Sequence, residues 1–235
     1  MATEKRVEIT YFTDILCIWA YLAQIRIDEL ITKFGANVEL KHRFIPVFGS
    51  VKSKIDQNWR SEGGIAAYSE HVKNIASDFS HIEIHPEIWV KNTPTTSTNC
   101  HLFLKAIQML DVKGELSHIS APNSSNRSIF EHIIWELRLA FFRDLIDISN
   151  FNNQMTIAEQ LNLPLHKIEK LIKSGAAFAT LDDDLQLKEK YGVTGSPTLI
   201  LNEGRQIIYG NVGYRVIEAN IQELLNQPEN QASWC

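Results

Sequence analysis

The sequence predicts an α/β protein, a sheet domain into which a block of helices is inserted. Three observations predict it. A β-prone apolar run over residues 7–12 leads into a helical pattern and then a second strand pattern, a βαβ unit. From residue 50 to about residue 181 strand patterns fade and helical ones follow one another. Strands then return as a hairpin before a closing amphipathic helix, so the order is βαβ, helices, then α-β-β-α. The expected division is a sheet domain built from residues 1–49 and 179–227, an inserted helical domain over 50–178, and a loose tail over 228–235.

Val7, Ile9, Thr10, Tyr11 and Phe12 have branched or aromatic side chains that suit a pleated surface. Over Ile18–Phe34, the residues Ile18, Tyr21, Leu22, Ile25, Leu30 and Phe34 recur near the 3.6-residue period, and Gly35 stands where a C-cap glycine belongs. Val38–Phe44 alternates, with Val38, Leu40 and His42 on one face and Glu39, Lys41 and Arg43 on the other. The two strands of such a unit are expected to be parallel with a right-handed crossover. Pro46 and Gly49 close the unit. Helices are then expected over residues 59–78, from an N-cap within 95–99 through Leu110, and over 126–148, 156–161, 165–174 and 182–191. Thr95, Thr96, Ser97, Thr98 and Asn99 offer N-caps for the second of these, and Pro164, Gly175 and Gly192 punctuate the last three. Thr198–Leu201 and Gln206–Tyr209 flank the turn Asn202-Glu203-Gly204, and residues 215–225 form the last helix.

The chain of 235 residues suffices for one large domain or two intimate ones. Its 44% hydrophobic and 22% charged residues are ordinary for a soluble globular protein. A net charge of −5 without any dense Lys/Arg cluster argues against a nucleic-acid partner. No apolar run approaches the ~20 residues that span a bilayer, so no membrane partner is expected. The N-terminal residues lack the apolar core of a secretory signal. Three cysteines, far apart and odd in number, make no disulfide framework. The expectation is a cytoplasmic protein with reduced thiols.

Two stretches carry the chemistry. The first is Tyr11-Phe12-Thr13-Asp14-Ile15-Leu16-Cys17-Ile18-Trp19-Ala20-Tyr21, where strand gives way to helix. A cysteine there faces the first unpaired N–H groups of the helix, and the positive end of the dipole favours its thiolate, so a pKa below the ~8.5 of a free cysteine is expected. A small buried hydrophobe explains Cys17 equally well from local sequence. The second stretch is Val193-Thr194-Gly195-Ser196-Pro197-Thr198, which enters the hairpin. Proline at the first position of a strand spares a ladder hydrogen bond, and from local sequence a trans bond is the commoner outcome.

In this order the two stretches resemble the DsbA-type thioredoxin fold, a thioredoxin-like fold with a large all-helical insertion. Cys17-Ile18-Trp19-Ala20-Tyr21 resembles the Cys-Pro-Trp-Cys-Tyr of its FrnE-like branch, and residues 193–198 resemble that family's Val-x-Gly-x-Pro-Thr loop. The resemblance spans nearly the whole chain. It implies a nucleophilic Cys17 and a cis Pro197 against it, in a thiol-disulfide oxidoreductase acting on a thiol- or disulfide-bearing small molecule or protein. The branch also includes kappa-class glutathione transferases and 2-hydroxychromene-2-carboxylate isomerases, which carry serine where this chain has Cys17. Ala20 stands where a dithiol enzyme has its resolving cysteine. A mixed disulfide on Cys17 would then need an external thiol such as glutathione, a co-substrate rather than a tightly bound cofactor. The Ser-Asp pair with which kappa enzymes hold the γ-glutamyl end is missing from Gly210-Asn211-Val212-Gly213-Tyr214-Arg215. A glutathione-dependent isomerase or transferase is the alternative, and a non-catalytic binding protein the second.

Trp19 and Ala20, on an expected exposed first turn, and Ser196, Pro197 and Arg215 are the candidate substrate-binding residues. Arg215 opens the last helix and suits an anionic substrate, or equally a surface salt bridge. Cys100 reads as a core cysteine, and Cys235 as an exposed terminal thiol. His71, His81 and His85 match no metal-ligand spacing and read as solvated or capping residues, so no metal is expected. Trp135, Phe141 and Phe142 lie at helical spacing and read as core. A homodimer is compatible with the sequence, as is a monomer.

Overall fold

The computed structural model describes residues 6–121 and 127–226. Among these, four strands form one sheet in the order β2-β1-β3-β4: β1 Val7–Thr13, β2 Val38–Phe44, β3 Thr198–Leu201 and β4 Gln206–Tyr209. Helix α1 (Ile18–Phe34) joins β1 to β2, which run parallel with Val7 opposite Val38 and Thr13 opposite Phe44. β3 pairs antiparallel with β1, and β4 with β3. The turn Asn202–Gly204 needs positive φ at all three residues.

Alternation along the strands builds two faces. Ile9 and Tyr11 of β1 and Leu199 and Leu201 of β3 are buried by Ile27, Leu30 and Phe34 of α1 and by Ile217, Ile221 and Leu224 of α9 (Tyr214–Asn226). Phe12 and Ile200 turn the other way, against Ile45, Val193, Leu187 of α8 (Ala176–Lys190) and Tyr191.

The helical block comprises α2 (Val51–Trp59), α3 (Gly64–Ser77), α4 (Thr98–Val112), α5 (Ile129–Phe142), α6 (Phe151–Gln160) and α7 (Leu165–Lys173). Its core is continuous with the start of α1: Leu16, Cys17, Ala20 and Tyr21 share one apolar cluster with Phe103, Ile133, Leu137 and Phe141. A buried ionic staple adds to it. The Asp184 carboxylate of α8 accepts from Lys105 of α4, and from the Arg43 guanidinium and Phe44 N–H of β2, at 2.9–3.0 Å.

Several helices differ from the sequence expectation, each for a local reason. The helix expected over 59–78 is α3, which starts only at Gly64 because Gly63 and Gly64 adopt φ of 112° and 67°. α2 itself is unforeseen; the Ser50 side chain caps it at the Ser53 N–H. α4 starts at Thr98 behind Ser97, one of the expected N-cap positions, although the Ser97 side chain makes no capping bond. α5 begins at Ile129 behind a Ser128–Glu131 capping box and stops at Phe142, before Leu145 at φ 56°. α6 starts earlier than expected, capped by Asn150, and α8 starts at Ala176 after Gly175 at φ 80°. The expected boundary between residues 178 and 179 falls in the first turn of α8. The expected tail, with Cys235, and Asn126 lie outside the described residues.

Candidate active site

Four residues, Asp14 to Cys17, link β1 to α1, and their backbone is fixed almost entirely by buried side chains. The Asp14 carboxylate accepts the Leu16 N–H at 2.8 Å through Oδ1, and the Phe48 N–H at 2.9 Å and the Ser97 hydroxyl at 2.8 Å through Oδ2. Its carbonyl accepts the Cys17 N–H at 3.1 Å. The Ile15 N–H donates to His101 Nε2 at 3.2 Å, which places the ring proton on Nδ1, where it has no partner. Asp14, Ser97 and His101 are fully buried, and burial holds the imidazole neutral by lowering its pKa. These buried hydrogen bonds hold the backbone of the turn.

Cys17 is the N-cap of α1, yet its side chain makes no capping bond. Sγ instead donates to the Ser196 carbonyl at 3.2 Å, across 179 residues of sequence. The Ser196–Pro197 peptide bond is cis. Ser196 also accepts the Asp14 N–H at 2.9 Å through its hydroxyl, so one residue grips both ends of the turn. The loop is fixed in turn by the Thr198 hydroxyl on the Gly195 carbonyl (2.8 Å) and the Gly210 N–H on the Pro197 carbonyl (2.9 Å). A Cβ on Gly195 would lie 2.7 Å from the Tyr209 hydroxyl, so glycine lets the β4 ring cross the loop.

Two expectations are overturned here. The thiol is not acidified: burial pushes the Cys17 pKa up, with the Asp14 charge adding to it, against the Ser196 side chain and the Ala20 and Trp19 backbone groups, which lower it. Desolvation of a thiolate outweighs the helix terminus because Cys17 is only 6% exposed. Nor is the first turn of α1 exposed. Ala20 is 0% exposed and Ile18 4%, because the helical block covers them, while Trp19 is half-buried against the same cluster.

Among the other candidates, Arg215 is exposed on the first turn of α9, with no ion pair among the described residues. Cys100 is fully buried and its thiol pKa is pushed up by burial. His81 bonds the Leu22 carbonyl through Nε2, His85 accepts the Glu87 N–H, and His71 lies against Trp59. No group of three or more His, Cys, Asp or Glu able to hold a metal occurs among the described residues. Phe141 and Phe142 are core, and Trp135 lies beneath the Arg127 guanidinium. Sequence reasoning missed Asp14, Ser97 and His101 as parts of this site. For Asp14 a signal existed, a carboxylate directly after an apolar strand. For the other two only the folded topology supplies the partner.

These features, a cysteine at a strand-to-helix turn, a cis-proline loop against it and a helical insertion, define a DsbA-like thioredoxin fold. The model of the DSBA-like thioredoxin domain family matches residues 8–222, and the chain belongs to that family. No curated protein matches the sequence. Among solved structures, the chain is similar to a probable DsbA oxidoreductase from Streptomyces coelicolor, at 14% identity and a TM-score of 0.70, covering 97% of this chain and 94% of that one. A cytosolic disulfide reductase, DsbM from Pseudomonas aeruginosa, is similar at 15% identity and 0.61, over 92% and 98%. A 2-hydroxychromene-2-carboxylate isomerase is similar at 15% and 0.61, over 92% and 95%. At these identities the likeness is one of fold. No helix among the described residues is long and apolar enough to cross a membrane.

Proposed function

We propose that this chain is a monothiol thiol-disulfide oxidoreductase in which Cys17 is the nucleophile and an external thiol the resolving partner. The observation that supports this best is the placement of Sγ at the N-terminus of α1, bonded at 3.2 Å to the Ser196 carbonyl, with alanine rather than cysteine one turn on. The Cys17 thiolate attacks a disulfide R–S–S–R′, forming Cys17–S–S–R and releasing R′–S⁻, which takes a proton from solvent. A second thiolate R″–S⁻ then attacks the R sulfur, giving R–S–S–R″ and returning the Cys17 thiolate. Glutathione is the simplest R″; one solved structure of DsbM was determined with it. Trp19, Ala20, Ser196 and Pro197 would bound the substrate, Arg215 would attract an anionic one, and the working compartment would be the reducing cytoplasm. Exchange requires an incoming sulfur to displace the Ser196 carbonyl from Sγ.

A second reading, a glutathione-dependent isomerase or transferase, is favoured by the 6% exposure of Cys17, which suits a small molecule better than a protein disulfide. Intact-mass and peptide mass spectrometry after incubation with oxidised glutathione separates the two. A covalent adduct on Cys17, released by added thiol, is expected. Tight non-covalent glutathione without an adduct would favour the isomerase reading, and neither would favour a binding protein without turnover.

A further inference from the structure

A cleft of about 740 Å³ runs along the outer edge of β2, the strand at one end of the sheet. Residues 38–43 line it without a gap, so side chains of both faces and the backbone between them border the same space. None of Asp14, Cys17, Trp19, Ser196 or Pro197 lines it. Ile31 of α1 and Phe130 of α5 border it on the face of Leu40 and His42, and Thr180 of α8 on the face of Arg43. Met109 and Val112 of α4 line it as well. A space enclosed by four helices admits a single strand, not the edge of a second sheet.

Edge strands present unpaired N–H and C=O groups, and proteins ordinarily cover them. On β2 the cover is partial. The Phe44 N–H donates to Asp184 Oδ2 at 2.9 Å, and the His42 carbonyl accepts from Gln108 Nε2 at 3.1 Å. Both groups therefore point away from β1. Successive residues of a parallel strand alternate between its two edges, so the N–H and carbonyl of Leu40 and the N–H of His42 point the same way, into the cleft. None of these has a hydrogen-bond partner among the described residues.

Asp111 of α4 also lines the cleft. It stands in the last turn of the helix, where a carboxylate opposes the dipole. Its side chain has neither a hydrogen bond nor an ion pair among the described residues, and burial raises its pKa. The other charges of the cleft are answered. Arg6 meets Glu39, Lys41 meets Glu8, Arg43 and Lys105 meet Asp184, and Glu131 accepts the Ser128 N–H. Lys113, just past the end of α4, acts on Glu115. A partly buried carboxylate without a counter-ion is unfavourable in the free protein and becomes favourable when a cation meets it.

We propose that this cleft docks an extended basic peptide segment, which adds to β2 as a strand through Leu40 and His42 and sets a lysine or arginine against Asp111. In docking of this kind main-chain bonds give affinity and side-chain contacts give selectivity. The cleft has the volume of a ligand site, ~300–1,000 Å³. Docking here does not depend on Cys17 being the nucleophile.

The test screens acetylated, amidated hexapeptides that carry one fixed lysine, glutamate or norleucine among random positions, by fluorescence anisotropy on the full chain. The tightest lysine peptide should bind saturably, and on the order of tenfold more tightly to the wild type than to Asp111→Asn, while its norleucine counterpart should not distinguish the two. Methylating the peptide's backbone nitrogens one at a time should weaken binding on the order of tenfold at the nitrogen that donates to the Leu40 carbonyl. Cys17→Ser should bind as the wild type does. The absence of saturable binding by any lysine peptide would overturn the proposal, as would equal binding of the glutamate peptide or an affinity untouched by Asp111→Asn. Indifference to methylation at every nitrogen would make the cleft a pocket for side chains alone and overturn strand addition. Loss of binding in Cys17→Ser would move the peptide to the thiol, and a dimer that the peptide dissociates would seat a second copy on β2; either result overturns the proposal. Should Asp111→Asn fail to fold, the lysine, norleucine and glutamate peptides on the wild type decide.

Discussion

Cys17 shows how a local rule yields to its surroundings. The helix terminus favours the thiolate and burial favours the thiol, and at 6% exposure burial wins. Cys17 should therefore titrate above the ~8.5 of a free cysteine. Iodoacetamide labelling of the wild type should show its inflection there, and an inflection below 8.5 would restore the acidic thiol that the sequence suggests. The place of Cys17 at the strand-to-helix turn was legible because strand, cysteine and helix are adjacent in the chain. The direction of its pKa shift was not, because it is buried in a cluster shared with residues of the insertion, Tyr68 and Trp89 among them. The same distance hid His101, whose ring meets the Ile15 N–H from 86 residues away.

At the scale of elements, two joints carry the architecture. The Ser128–Glu131 capping box opens α5, whose Arg138 bonds Gln24 of α1 and Thr13 of β1. Ser128→Ala should destabilise the fold by about 1 kcal/mol, about 2–4 °C in Tm by circular dichroism; an unchanged Tm would mean the cap is dispensable. Asp184 joins α8 to α4 and β2, and Asp184→Ala would leave Lys105 buried without its counter-ion. About 3–5 kcal/mol should be lost, read as a fall in the urea midpoint, whereas a loss under 1 kcal/mol would contradict the staple. α1 and the four strands were read from sequence nearly to the residue, because their periodicities are clean and Gly35 and Pro197 bound them. The α2–α3 break was missed because a Gly-Gly pair inside a helical pattern reads as a weak stretch until its φ values are known.

For the whole molecule, interior histidines set the response to acid. The His42 pKa of about 3 lies below the ~6.5 of a free histidine, so the unfolded chain binds a proton that the native state refuses. The stability this confers is complete above pH ~6.5 and is lost as pH falls toward 3. His42→Phe, which keeps a ring between Tyr11 and Phe130, should flatten the decline of unfolding free energy over that window. An identical slope would show that His42 is protonated in the folded protein. The order of sheet halves around a helical insertion was legible from composition and pattern, since strands vanish and return. That the two parts share one core, with Leu16 and Ala20 packed in the same cluster as Phe103 and Ile133, was not, because it depends on contacts between distant segments.

Under the proposed function Cys17 is the attacking thiol, with Ala20 where a dithiol enzyme has its resolving cysteine. Residues 17 and 20 lie one turn apart on neighbouring parts of one helix face. Ala20 is fully buried, so Ala20→Cys adds a sulfur to a packed core at about 1–3 kcal/mol, and folding is confirmed first by circular dichroism. The measurement is reduction of insulin disulfides with dithiothreitol as electron source. Wild type should be nearly inactive, and Ala20→Cys should form the 17–20 disulfide and gain activity that Cys17→Ser abolishes. A folded Ala20→Cys protein with neither disulfide nor gain would contradict the account.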